Sequence, residues 1–157
     1  MNSCAENNLP RRQRRLDFLF DTAPVYFITL CVADRLPVLD NPDVFARVNS
    51  FVESSMNHYG VYVNSYILMP DHVHLIVTIA GASGTTLGVW VKAFKAVVSL
   101  RRFKWQSGFF DHVLRSNESY SEKWEYIRMN PVRAGLVQNS DEWPYAQQFN
   151  QYNGLEM

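Results

Sequence analysis

Val61-Tyr-Val-Asn-Ser-Tyr-Ile-Leu-Met69, then Pro70-Asp71, then His72-Val-His-Leu-Ile-Val77 is the stretch on which the fold turns. Both runs are rich in valine, isoleucine and tyrosine, which suit a pleated, half-buried surface. Between them, proline presets φ and aspartate tolerates a tight bend, so the runs read as the strands of a hairpin, roughly 61–69 and 72–79. Side chains at i and i+2 leave a strand on the same face. His72 and His74 therefore point one way from the start of the second strand, a spacing that suits two ligands on one divalent cation. The same pattern fits two partly exposed histidines, and spacing alone leaves both readings open.

Outward from the hairpin, Val25-Tyr-Phe-Ile-Thr-Leu-Cys-Val32 reads as a central strand. Apolar residues at Val44, Phe45, Val48, Phe51, Val52 and Met56 have helical spacing over 42–58, with Asn41 as cap and Pro42 in the first turn. After the flexible break at 81–84, Thr85 or Thr86 caps a second helix reaching about Arg102. Trp105 to Leu114 reads as a last strand, bent at Ser107-Gly108. A final helix spans about Glu118 to Met129. It ends at Asn130, because a residue before proline is pushed away from the α region. The order β-α-β-β-α-β-α is α+β: a ferredoxin-like core with an antiparallel sheet and an added C-terminal helix. One domain over residues 1–157 is expected, with a basic N-terminal tail (about 1–20) and a C-terminal tail (about 138–157).

Composition excludes several classes. Hydrophobic residues at 47% and charged residues at 19% argue against disorder. Two cysteines, Cys4 and Cys31, make no disulfide framework, and residues 1–15 hold no apolar secretion signal, so a cytoplasmic protein is expected. The longest apolar run, near 25–33, is too short to span a bilayer. The formal net charge is +0, yet its distribution is uneven. Arg11, Arg12, Arg14 and Arg15 crowd the N-terminus, and Lys92, Lys95, Arg101, Arg102 and Lys104 occur without an acid between them. Such segments form either a phosphate-binding face or the solvated side of a helix.

The decisive second segment is Tyr126-Ile-Arg-Met-Asn-Pro-Val-Arg-Ala-Gly-Leu136. Together with Met69-Pro-Asp-His-Val-His-Leu-Ile76, in this order, it resembles the single-tyrosine HUH transposases, and among them the REP-associated tyrosine transposases of bacteria. The resemblance runs from about Arg12 to Tyr152 and implies an HUH-nuclease core whose added helix bears a catalytic tyrosine. It implies Tyr126 as nucleophile, His72 and His74 as metal ligands, Asn130 as a possible third, and Mg2+ or Mn2+ as the ion. Tyr126 and Asn130 stand four apart and share a helix face. Arg133 reads as a phosphate contact or a helix-end partner.

The activity so implied is cleavage and rejoining of single-stranded DNA beside a palindromic hairpin, through a 5′-phosphotyrosine link. The alternative is a domesticated hairpin-binding protein without turnover. A monomer is favoured over a dimer. Trp105, Phe109 and Phe110 include candidates for base stacking, with at least two expected in the core. His112 reads as a surface strand-end histidine. Asp71 is the acid nearest the histidine pair, and the turn is expected to point it away.

Overall fold

The computed structural model describes residues 24–80, 84–114 and 117–149. Its first strand, β1 (Val25–Cys31), pairs antiparallel on both sides. Helix α1 (Pro42–Tyr59) follows, and the Asn41 side chain accepts the Val44 N–H at 3.0 Å as its cap. Gly60 closes the helix at φ +68°, a left-handed conformation open to a residue without Cβ, and turns the chain straight into the next strand. Strands β2 (Val61–Leu68) and β3 (His72–Ile79) form the expected hairpin. Helix α2 (Leu87–Ser99), strand β4 (Phe110–Leu114), helix α3 (Asn117–Arg128), one helical turn α4 (Asn130–Arg133) and strand β5 (Ala146–Gln148) follow among the described residues.

The sheet order is β4-β1-β3-β2-β5, with every pair antiparallel. Its first four strands have the ferredoxin-like arrangement, so the α+β expectation holds. Two cores sandwich the sheet. On one face Val48, Phe51, Trp90 and Phe94 from α1 and α2 pack on Ile28, Leu30, Leu75 and Val77. On the other, Tyr120, Trp124 and Ile127 of α3 pack on Val25, Ile67, Ile76 and Leu114. Burying each such side chain contributes about 1.5–3 kcal/mol, and this second patch fixes where the tyrosine helix lies.

Three boundaries differ from expectation. Helix α2 stops at Ser99, because Leu100 and Arg101 adopt φ of +47° and +61° and reverse the chain. That reversal brings Trp105 back onto Phe94, with its indole Nε1–H donating to the Lys95 carbonyl at 3.0 Å. Trp105 thus makes one isolated bridge to Val32, and the continuous strand begins only at Phe110. At the other end, Pro131 does not stop helical geometry at Asn130. It occupies the first turn of α4, where its missing N–H costs nothing, so helix restarts after Met129.

Strand β5 was not anticipated and lies within the stretch read as C-terminal tail. It pairs with β2 through Ser65, Tyr66 and Ile67, and Trp143 pins the approach by donating Nε1–H to the Leu68 carbonyl at 2.9 Å. Among the described residues, no helix is long and apolar enough to cross a membrane.

Candidate active site

Register places the histidines. Thr29 of β1 lies opposite His74, and Cys31 opposite His72, so all four side chains share the sheet face that α3 covers. The imidazole centroids are 4.8 Å apart with planes at 77°. His74 Nδ1 lies 2.9 Å from Thr29 Oγ1, and His72 Nδ1 lies 2.7 Å from Asp71 Oδ1. The Asp71 carboxylate only accepts, so His72 Nδ1 carries its proton and Nε2 keeps its lone pair; the Thr29 hydroxyl can donate or accept, and leaves His74 Nε2 free in the same way when it accepts. Oxygen partners that fix the tautomer in this way accompany metal-ligating histidines. Burial foremost, then the charges of His72, Lys123 and Arg133, push His74 down to about 3, so it is neutral at physiological pH as a ligand must be.

Asp71 corrects the expectation that it points away. Its Oδ1 accepts from His72 and its Oδ2 accepts from Arg35 Nε at 2.9 Å. Burial pushes the Asp71 carboxyl up, but hydrogen bonds and charge from Arg35 and His72 outweigh this and hold it below the usual carboxylate range. Among the described residues, no cluster of three or more His, Cys, Asp or Glu side chains is placed to hold a metal ion. His72 and His74 could offer a cation two imidazoles, neither of which carries a negative charge. Neutral donors alone bind Mg2+ or Mn2+ weakly, which suits a cation also held by a substrate phosphate.

Helix α3 delivers the tyrosine. Lys123, Tyr126 and Asn130 recur at three- and four-residue intervals, one face of a helix and its continuation. Lys123 Nζ lies 4.9 Å from the Phe27 ring centre, and Phe27 stacks on His74 at 5.2 Å. The tyrosine helix thereby meets the histidines through a cation, a ring and an imidazole in contact. Tyr126 is 62% exposed. Its ring lies under the Arg133 guanidinium at 4.1 Å, and Arg133 also donates to the Tyr126 carbonyl at 2.7 Å and to Asn130 Oδ1. The amide oxygen of Asn130, a possible third ligand by the family resemblance, is thus engaged by the Arg133 guanidinium.

The expected DNA contacts separate. Arg11, Arg12, Arg14 and Arg15 lie outside the described residues. Lys92, Arg101, Arg102 and Lys104 are exposed. Lys95 donates to the carbonyls of Gln106 and Gly108 at 2.9 and 2.7 Å, and burial lowers its pKa, so it braces the loop before β4. Helix α2 packs on the sheet face away from the histidines, whereas the segment after it returns toward them: the Ala33 N–H donates to the Lys104 carbonyl at 2.8 Å. Trp105 and Phe109 pack against the core, and Phe110 is 73% exposed. His112 is exposed on β4 opposite Phe27. Thr29, Phe27, Lys123 and Arg35 were not singled out from sequence. A threonine within an apolar strand was the one local signal among them.

An antiparallel sheet with two histidines on one face, under a helix that offers an exposed tyrosine, defines the HUH-nuclease fold. Residues 23–130 match the family described as Transposase IS200 like, and the chain belongs to that family. The REP-associated tyrosine transposase of Escherichia coli (strain K12) is 29% identical over 87 residues, which cover 54% of this chain and 52% of the relative, so the match spans about half of that relative's length. A Haemophilus influenzae protein provisionally named a REP-associated tyrosine transposase is 23% identical over 144 residues, 81% of each chain. The solved structure of a REP-associated tyrosine transposase bound to a REP hairpin shares the fold at TM-score 0.67 and 21% identity, covering 78% of this chain and 75% of that one.

Proposed function

We propose that the chain cleaves and rejoins single-stranded DNA at or near a palindromic hairpin, with Tyr126 as nucleophile. The observation that supports this most is that Tyr126 stands exposed on the helix whose Lys123 reaches His74 through Phe27. The hairpin partner is inferred from the relatives, whose names attach them to REP sequences.

In this reading Tyr126 Oη attacks the scissile phosphorus and forms the P–O bond of a 5′-phosphotyrosine. The bond to the 3′-oxygen breaks, the phenol proton passes to solvent, and the departing oxygen takes a proton to become a free 3′-OH. A divalent cation, Mg2+ or Mn2+, held by His72 and His74 would polarise the phosphate and offset charge on the departing oxygen. Arg133 holds the tyrosine ring and the Asn130 amide together, and its exposed guanidinium is available to an incoming phosphate. Attack by another 3′-OH on the phosphotyrosine reverses the step and joins strands without a nucleotide cofactor. Helix α3 lies on its own sheet through Tyr120, Trp124 and Ile127, so one chain supplies both histidines and tyrosine, which favours action as a monomer.

The test incubates purified protein with Mn2+ and labelled single strands carrying palindromic repeats, and looks for a covalent adduct on a denaturing gel. An adduct lost in Tyr126→Phe and reduced in His72→Ala supports the proposal. Hairpin binding without an adduct in any divalent metal would replace it with a binding module that does not turn over.

A further inference from the structure

Asp34 and Arg35 adopt φ of +57° and +54°, the left-handed region that disfavours any residue bearing a Cβ. The bonds made around them show what this conformation achieves. The Val32 N–H donates to the Asp71 carbonyl at 2.9 Å and the Leu39 N–H to the Pro70 carbonyl at 3.0 Å. Between these anchors, Arg35 Nε donates to Asp71 Oδ2 at 2.9 Å. The segment 32–39 therefore grips the Pro70-Asp71 turn at both backbone carbonyls and at the carboxylate. The other carboxylate oxygen takes the His72 Nδ1–H at 2.7 Å. An Arg35 terminal nitrogen also stands 3.4 Å from that Nδ1. A guanidinium only donates, so it cannot satisfy a protonated Nδ1. The short contact to the carboxylate decides the tautomer, and Arg35 holds the carboxylate.

A surface ion pair is ordinarily of little consequence, and the Arg35 side chain is 51% exposed. Two consecutive left-handed residues set this pair apart. Backbone bonds at Val32 and Leu39 anchor the turn on Pro70-Asp71, and its left-handed residues bring the Arg35 guanidinium onto the carboxylate that orients His72. We infer that Arg35 is a positioning residue: through Asp71 it holds His72 with Nδ1 protonated and Nε2 free for the cation. This inference rests on the metal role of His72 in the proposed function.

The test uses the full chain and Mn2+ alone, measuring affinity by calorimetric titration and the His72 tautomer by 15N NMR of the metal-free protein. Arg35→Gly removes the guanidinium and relieves the left-handed backbone. Its melting temperature should be kept or raised while Mn2+ affinity falls roughly 10–100-fold and His72 shifts to a mixture of tautomers. Arg35→Lys, which keeps one donor for Asp71, should fall between, and it decides the matter if the glycine variant folds poorly. Affinity within twofold of the parent in both variants, with the His72 tautomer unchanged, overturns the inference. If His72→Ala also leaves Mn2+ affinity intact, the metal reading itself has failed and the role of Arg35 falls with it.

Discussion

The guanidinium carbon of Arg133 sits 4.1 Å from the centre of the Tyr126 ring, and the same side chain donates to the Tyr126 carbonyl and to Asn130 Oδ1. One terminal nitrogen makes both hydrogen bonds while the flat guanidinium lies over the ring, a stacking that a compact ammonium does not reproduce. Arg133→Ala should therefore leave the nucleophile free to rotate. One exposed cation–π contact and one net hydrogen bond sum to about 2 kcal/mol, or roughly a 30-fold slower adduct formation under saturating Mn2+ and DNA. Arg133→Lys should recover hairpin affinity more fully than it recovers the rate. Single-turnover kinetics with a binding isotherm separates the two.

Thr29 addresses the other histidine. Its Oγ1 is 2.9 Å from His74 Nδ1, in a part-buried setting. Thr29→Val preserves shape but removes that partner, and a part-buried imidazole nitrogen left without a hydrogen-bond partner costs about 1–3 kcal/mol. The expected result is a modest fall in urea midpoint and roughly a 10–100-fold loss in Mn2+ affinity. An unchanged affinity would mean that the hydroxyl does not orient His74.

The His74 environment also fixes a pH dependence of the metal-free protein. Unfolded, this side chain binds a proton near the ordinary histidine pKa of about 6.5; folded, burial and neighbouring cations hold it near 3. Between those values the unfolded chain carries the extra proton, so stability is fully present above about pH 6.5 and declines as pH falls. The slope from this one group is at most about 1.4 kcal/mol per pH unit. Urea titrations in a chelator at pH 7.5, 6 and 5 would show it, and His74→Gln should flatten that part of the profile.

Trp124 and Trp90 are buried on opposite faces of the sheet. Replacing either by alanine should cost about 3–5 kcal/mol. The consequences for chemistry should differ, because Trp124 seats the helix that carries Tyr126. Per folded molecule, Trp124→Ala should lose adduct formation while Trp90→Ala retains it. Activity normalised to the folded fraction distinguishes them.

Local physics determined much of this molecule. Alternating apolar residues, Pro70-Asp71 turn chemistry and the Asn41 cap fix the element order and the hairpin. The two-residue period sets His72 and His74 on one face, and helical spacing aligns Tyr126 with Asn130. These are legible because each depends on a few neighbours along the chain. Partners far apart in sequence were not legible. Thr29 lies 45 residues from His74, and Arg35 lies 36 from Asp71. Neither contact exists until β1 pairs with β3 in its particular register. Strand β5 was hidden for the same reason: three residues have too little pattern to declare themselves, and they become a strand only when β2 offers an edge. The tertiary structure likewise decided that α3 covers the histidine face. That choice rests on Tyr120, Trp124 and Ile127 finding apolar surface left open by α1 and α2.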